Sequence, residues 1–138
     1  MMKILIVEDD FATRKLMLAH LTHVGECDVA VNGREAIKAF AAALNSGSPY
    51  HLICLDISMP EQDGQQTLQQ IRALEEQKGF DLASEQSVKV IMTTAFDDNH
   101  NILSAFRQGC ESYLVKPVNR QKLFAEIAKV GLLVEETT

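Results

Sequence analysis

Ile4-Leu5-Ile6-Val7-Glu8-Asp9-Asp10 is an apolar, β-branched run that stops abruptly at three consecutive carboxylates. A short run of this kind, closed by polar residues, reads as a strand. The pattern returns at Asp28–Val31, Leu52–Leu55, Val88–Met92 and Tyr113–Val115. Between these runs lie longer segments with helical spacing of apolar residues: Leu16, Ala19, Leu21 and Val24; Ala36, Ile37, Phe40 and Leu44; Leu68, Ile71 and Leu74; Ile102, Leu103 and Phe106; Leu123, Ile127 and Val130. Strands alternating with helices predict an α/β fold, a five-stranded parallel sheet with helices on both faces. Right-handed crossovers then place ligands at the carboxyl ends of the strands. The Gly- and Ser-containing stretches 45–49 and 78–87 precede strands and fall on the opposite side.

The residues that follow each strand are therefore the candidates for chemistry. Glu8, Asp9 and Asp10 follow the first, Asp56 the third, Thr94 and Ala95 the fourth, and Lys116-Pro117 the fifth. A sheet with the first and third strands side by side makes Asp9 and Asp56 neighbours, and carboxylates in one crevice repel unless a cation intervenes. Oxygen ligands without His or Cys suit Mg2+, or Mn2+ in its place, with room left for a phosphate oxygen. A carboxylate is also a competent nucleophile for phosphoryl transfer if the charge on the phosphoryl oxygens is compensated. Lys116, a hydroxyl at Thr94 and backbone N–H groups near Ile57 and Ala95 are placed to do so. Asp10 is read as a helix N-cap, Asp63-Gly64 as turn and capping chemistry, and Arg14 as a solvated helix residue.

Composition narrows the function classes. The length, 138 residues, suits one domain, and 46% apolar with 23% charged residues is ordinary for a globular chain. A net charge of −6 opposes direct nucleic-acid binding. No apolar run reaches the roughly 18 residues of a membrane span, and the N-terminus lacks signal-peptide character, so a cytoplasmic location is expected. Cys27, Cys54 and Cys110 lie in apolar stretches without CxxC spacing and are expected to be buried, reduced thiols. His20, His23, His51 and His100 show no metal-ligand pattern.

Taken in order, Ile4-Leu-Ile-Val-Glu8-Asp9-Asp10 with Arg14, Asp56-Ile-Ser-Met-Pro60 with Asp63-Gly64, Thr94-Ala95, and Gly109-Cys-Glu-Ser-Tyr113-Leu-Val-Lys116-Pro117 resemble response-regulator receiver domains (CheY-like), over about Lys3 to Leu132. The resemblance implies the flavodoxin-like strand order 2-1-3-4-5 and a phosphorylation switch in two-component phosphorelay signalling. It implies Asp56 as phosphoacceptor from a histidine kinase or His-containing phosphotransfer protein. Asp9, Asp56 and the Ser58 backbone carbonyl would ligate Mg2+, with Glu8 acting through a bound water. Lys116 would pair with a phosphoryl oxygen, Thr94 and Tyr113 would act as switch residues, and the fourth helix, fifth strand and fifth helix would signal to a downstream protein. It also suggests a cis Lys116-Pro117 bond, and that Ser58 and Phe96 tune dephosphorylation. Gln62 and Cys110 depart from the commonest pattern without touching the predicted chemistry.

The expected organisation is a receiver domain over 1–133 and a C-terminal tail over 134–138; a stand-alone receiver is the direct reading, and an excised fragment of a longer regulator would look identical. Self-phosphorylation and self-dephosphorylation are the only chemistry expected, and phosphorylation-dependent homodimerisation is left open. An aspartyl-phosphate phosphatase of the haloacid-dehalogenase type is one rival, but that family has a second Asp where Ser58 stands. A flavin-binding module is another, but Glu8-Asp9-Asp10 would repel its phosphate. A receiver-like scaffold acting without phosphorylation is the third.

Overall fold

A computed structural model describes residues 2–57, 64–80, 86–94 and 99–132, the last with side chains from Leu103 onward. Its elements alternate strictly: β1 (Met2–Val7), α1 (Phe11–Leu21), β2 (Gly25–Ala30), α2 (Gly33–Asn45), β3 (Leu52–Asp56), α3 (Gly64–Gln77), β4 (Lys89–Thr94), α4 (Asn99–Arg107), β5 (Ser112–Val115) and α5 (Arg120–Lys129). The five strands form one parallel sheet in the order β2-β1-β3-β4-β5. The expected fold class and strand order both hold.

The sheet separates two apolar layers by the period-two alternation of its strands. Leu5, Val7, Ile53, Leu55, Val90 and Met92 face α2 and α3, where Phe40, Leu68 and Ile71 complete the layer. Ile4, Ile6, Leu52, Cys54 and Ile91 face α1 and α5, against Met17, Leu21, Leu123 and Ile127. Burial on both faces explains why β1, β3 and β4 read as continuous apolar runs.

Three expectations need adjustment. β2 begins at Gly25 and ends at Ala30, not at Asp28–Val31. It is an edge strand of the sheet, paired with β1, so its exposed Glu26, Asp28 and Val29 hide the apolar signal. In α1 the buried stripe is Met17 and Leu21, while Leu16 is 40% exposed. In α4 it is Ala105 that reaches the core, and Leu103 and Phe106 are 56% and 41% exposed.

At the foot of the sheet an ionic cluster fastens α3 to its neighbours. Arg72 meets Glu75 Oε1 at 2.6 Å, Glu111 Oε1 at 2.9 Å, and the carbonyl oxygens of Val88 and Gly109 at 2.8 Å and 2.6 Å. The carboxylates in turn accept from the N–H groups of Val88 and Val90, both at 2.6 Å. Charges buried this way persist because they are paired and hydrogen-bonded.

Candidate functional site

Parallel register aligns the carboxyl ends of four strands: Val7 pairs with both Ala30 and Leu55, and Asp56 pairs with Thr93. Glu8 and Asp9 leave β1 at that level, and Asp56 ends β3. Their carboxylates each offer an oxygen, and those oxygens all lie within 4.8 Å of one another. Lys116 follows β5, its backbone N–H donating to Thr94 O at 2.7 Å. Its Nζ lies 3.3 Å from Asp56 Oδ2 and is hydrogen-bonded to Glu8 Oε1. Residues 108 positions apart in the chain thus meet at one sheet edge.

The electrostatics follow from this crowding. Glu8 and Asp56 are 2% and 4% exposed, whereas Asp9 is exposed. Burial, reinforced by Asp56, pushes the Glu8 carboxyl up to about 8 against the pull of Lys116. Burial alone would lower Lys116, but its contact with Glu8 and the charge of Asp56 outweigh that and leave it raised, so it stays an ammonium. Glu8 Oε2 is buried, with no hydrogen-bond partner among the described residues. Three carboxylates gather beside a lysine that contacts two of them, and a buried lone pair is left over, which is a donor set that fits a hard divalent cation such as Mg2+ or Mn2+.

The loop that presents Glu8 and Asp9 is fixed by α1. Asp10 is the N-cap, its Oδ2 accepting from Thr13 N at 2.9 Å and Thr13 Oγ1 at 2.7 Å, and this holds its carboxyl below the usual range. Arg14 is not merely solvated: its Nη1 donates to Glu8 O at 3.0 Å. Gly64 serves packing rather than a special turn. Its N–H donates to Ile57 O at 2.9 Å, and a Cβ there would lie 2.2 Å from Asp56 O. α3 can approach β3 this closely only without a side chain.

The response regulator receiver domain model matches residues 4–128. The chain belongs to this family. It is 31% identical over 92% of its length to a probable transcriptional regulator, ycf27, of Cyanidium caldarium, of which it covers 45%. It is 33% identical over 94% of its length to the hybrid signal transduction histidine kinase L of Dictyostelium discoideum, of which it covers 7%. The chain therefore spans about half or less of these relatives. Among solved structures, the receiver domain of Saccharomyces cerevisiae Ssk1, in complex with the histidine phosphotransfer protein Ypd1, superposes with TM-score 0.78 at 30% identity, covering 94% of this chain and 88% of that one. The CheX–CheY–BeF3–Mg2+ complex of Borrelia burgdorferi matches with TM-score 0.80 over 96% of this chain and 90% of that one, at 24% identity, which speaks for the fold alone.

On this receiver scaffold the other expected residues fall as follows. Thr94 is buried at the end of β4, one residue beyond the partner of Asp56. Tyr113, on β5, packs edge-on against Phe106 with ring centroids 5.9 Å apart. The Lys116-Pro117 peptide is cis. The N–H of Ile57 donates to Thr93 O at 2.9 Å, so it is committed to the sheet and is not available to a phosphoryl oxygen. Ser58, Gln62, Asp63, Ala95, Phe96 and the tail 134–138 lie outside the described residues. The cysteines are free, and burial pushes Cys27 up to about 11 and Cys54 and Cys110 to about 12. Among the described residues no helix is long and apolar enough to cross a membrane.

Proposed function

We propose that this receiver domain accepts a phosphoryl group on Asp56 from the phosphohistidine of a histidine kinase or phosphotransfer protein. The observation that carries the reading is Lys116 Nζ at 3.3 Å from Asp56 Oδ2, with Glu8 and Asp9 facing the same oxygens. An Asp56 carboxylate oxygen bonds to phosphorus as the P–N bond to the donor imidazole breaks and the imidazole leaves with the electron pair. Lys116 orients the acceptor and neutralises charge gathered on the phosphoryl oxygens. Asp9, Asp56 and the Ser58 carbonyl would hold Mg2+ or Mn2+, with Glu8 acting through a water. When bound, that ion supplies charge compensation for three carboxylates and the incoming phosphoryl group.

Thr94 and Tyr113 then act as switch residues. A phosphoryl group that gains contacts to Thr94 and Lys116 favours one arrangement of α4, β5 and α5 over another. The exposed Leu103, Phe106 and Val115 on this surface suit a downstream protein. The domain turns over no external substrate, and its own hydrolysis ends the signal. A cytoplasmic location fits these partners.

The test is intact-mass measurement after incubation with a small acyl phosphate, with and without Mg2+. The parent gains one phosphoryl group only when Mg2+ is present, and Asp56→Asn gains none. Steady hydrolysis of an external phosphoester without a labelled protein intermediate would replace this reading with a phosphatase.

A further inference from the structure

Successive side chains of an extended strand point to opposite faces. Glu8 and Asp9 can therefore both address Asp56 only if the chain leaves the strand between them. It does so: the ladder ends at Val7, the backbone bends at Asp9, and oxygens of both carboxylates lie within 4.8 Å of each other and of Asp56. The N–H of Glu8 is still held by Ala30 O at 3.0 Å. The turned carbonyls are held by Arg14, whose Nη1 donates to Glu8 O at 3.0 Å and reaches Asp9 O at 3.4 Å.

The guanidinium is itself fixed. Its carbon sits 5.6 Å from the centroid of the Phe11 ring, and the Arg14 backbone N–H donates to Asp10 O at 2.9 Å inside the first turn of α1. A planar fork with several directed donors can serve two carbonyls and still lie on an aromatic face, whereas an ammonium is a single point charge.

We infer that Arg14 is a positioning residue for the acidic pair, holding the bend that aims Glu8 and Asp9 at Asp56. This rests on the reading of those carboxylates as a cation site. Arg14 touches no phosphoryl group and acts only through the two carbonyls it holds. The sign of its effect separates this role from a charge effect. Removing a nearby positive charge would, by Coulomb attraction alone, tighten cation binding, while releasing the bend loosens it.

Mg2+ affinity of the parent, Arg14→Met and Arg14→Lys is measured by calorimetry, with urea midpoints in EDTA as a check on folding. Arg14→Met is expected to bind Mg2+ about tenfold more weakly, in the range seen when groups supporting metal ligands are lost. Arg14→Lys falls between it and the parent, and the urea midpoints stay close together. Parent-like or tighter Mg2+ binding in Arg14→Met overturns the inference, with or without a lowered urea midpoint. Should Arg14→Met not fold, Arg14→Lys decides alone: weaker binding supports the inference and parent-like or tighter binding overturns it. A parent that binds no Mg2+ overturns both the inference and the reading beneath it.

Discussion

Lys116 Nζ lies 3.3 Å from Asp56 Oδ2, so the loop after β5 carries its charge directly to the end of β3. The lysine contacts both buried carboxylates of this edge, Glu8 and Asp56. Lys116→Met should slow Mg2+-dependent phosphorylation by a small acyl phosphate by roughly 100-fold, the size of effect found when one charge-stabilising donor is removed from a reacting site. The check is the rate of mass gain at saturating Mg2+. An unchanged rate would remove Lys116 from the chemistry.

Carboxylate crowding predicts a stability effect of opposite sign. Neutralising Asp56 relieves Glu8, so Asp56→Asn should be more stable than the parent in EDTA by about 1 kcal/mol. Mg2+ should narrow or reverse that gap, because binding to the native state stabilises the parent more. Urea unfolding with EDTA and with Mg2+ measures both.

The pH dependence follows from Glu8, whose folded value of about 8 lies above the ordinary value of 4.5. Between those values the native state holds a proton that the unfolded state has released. Glu8 therefore contributes stability that is fully present below about 4.5 and is lost as pH rises through about 8. In EDTA the unfolding free energy of the parent should decline across this window, and Glu8→Gln should flatten the decline. Mg2+ affinity should rise over the same range, since cation and proton compete for the carboxylate.

Much of this was legible in the chain, because each clue was local. Ile4–Val7 and Leu52–Leu55 are apolar on both faces of a covered sheet, and each ends in the acid that matters. Other features depend on geometry that spacing does not carry. Arg14 looks like any helix arginine until the bend after Val7 turns two carbonyls toward it. Gly64 looks like a turn residue until α3 is seen resting on the backbone of Asp56. Arg72 and Glu75 share α3, but Ser87 and Glu111 lie far from them in sequence, and nothing in the chain gave a hint of their cluster. Leu16, Leu103 and Phe106 show the opposite failure, apolar residues at helical spacing that face outward.

The glycines differ in why they are needed, and substitution should show it. Gly64→Ala forces α3 away from β3 and should cost about 2 kcal/mol, with slower phosphorylation because Asp56 shifts with its neighbour. Gly47 has φ +78° and open space around it, so Gly47→Ala should cost about 1 kcal/mol of backbone strain and leave phosphorylation unchanged. Urea unfolding and mass-gain rates of the two variants distinguish packing from strain.

The Arg72 cluster predicts a purely structural loss. Arg72→Met leaves Glu75 and Glu111 without their cation and should destabilise the fold by about 3–5 kcal/mol. A urea midpoint close to that of the parent would show the cluster to be dispensable.

The central claim is that Asp56, and no other carboxylate of this crowded edge, carries the phosphoryl group. An acyl phosphate is reduced by borohydride to an alcohol, so treating the phosphorylated protein and sequencing its peptides by mass spectrometry reads the site directly. Homoserine is expected at position 56, with Glu8 and Asp9 unaltered. Reduction at Asp9 or elsewhere, with Asp56 intact, would contradict the claim.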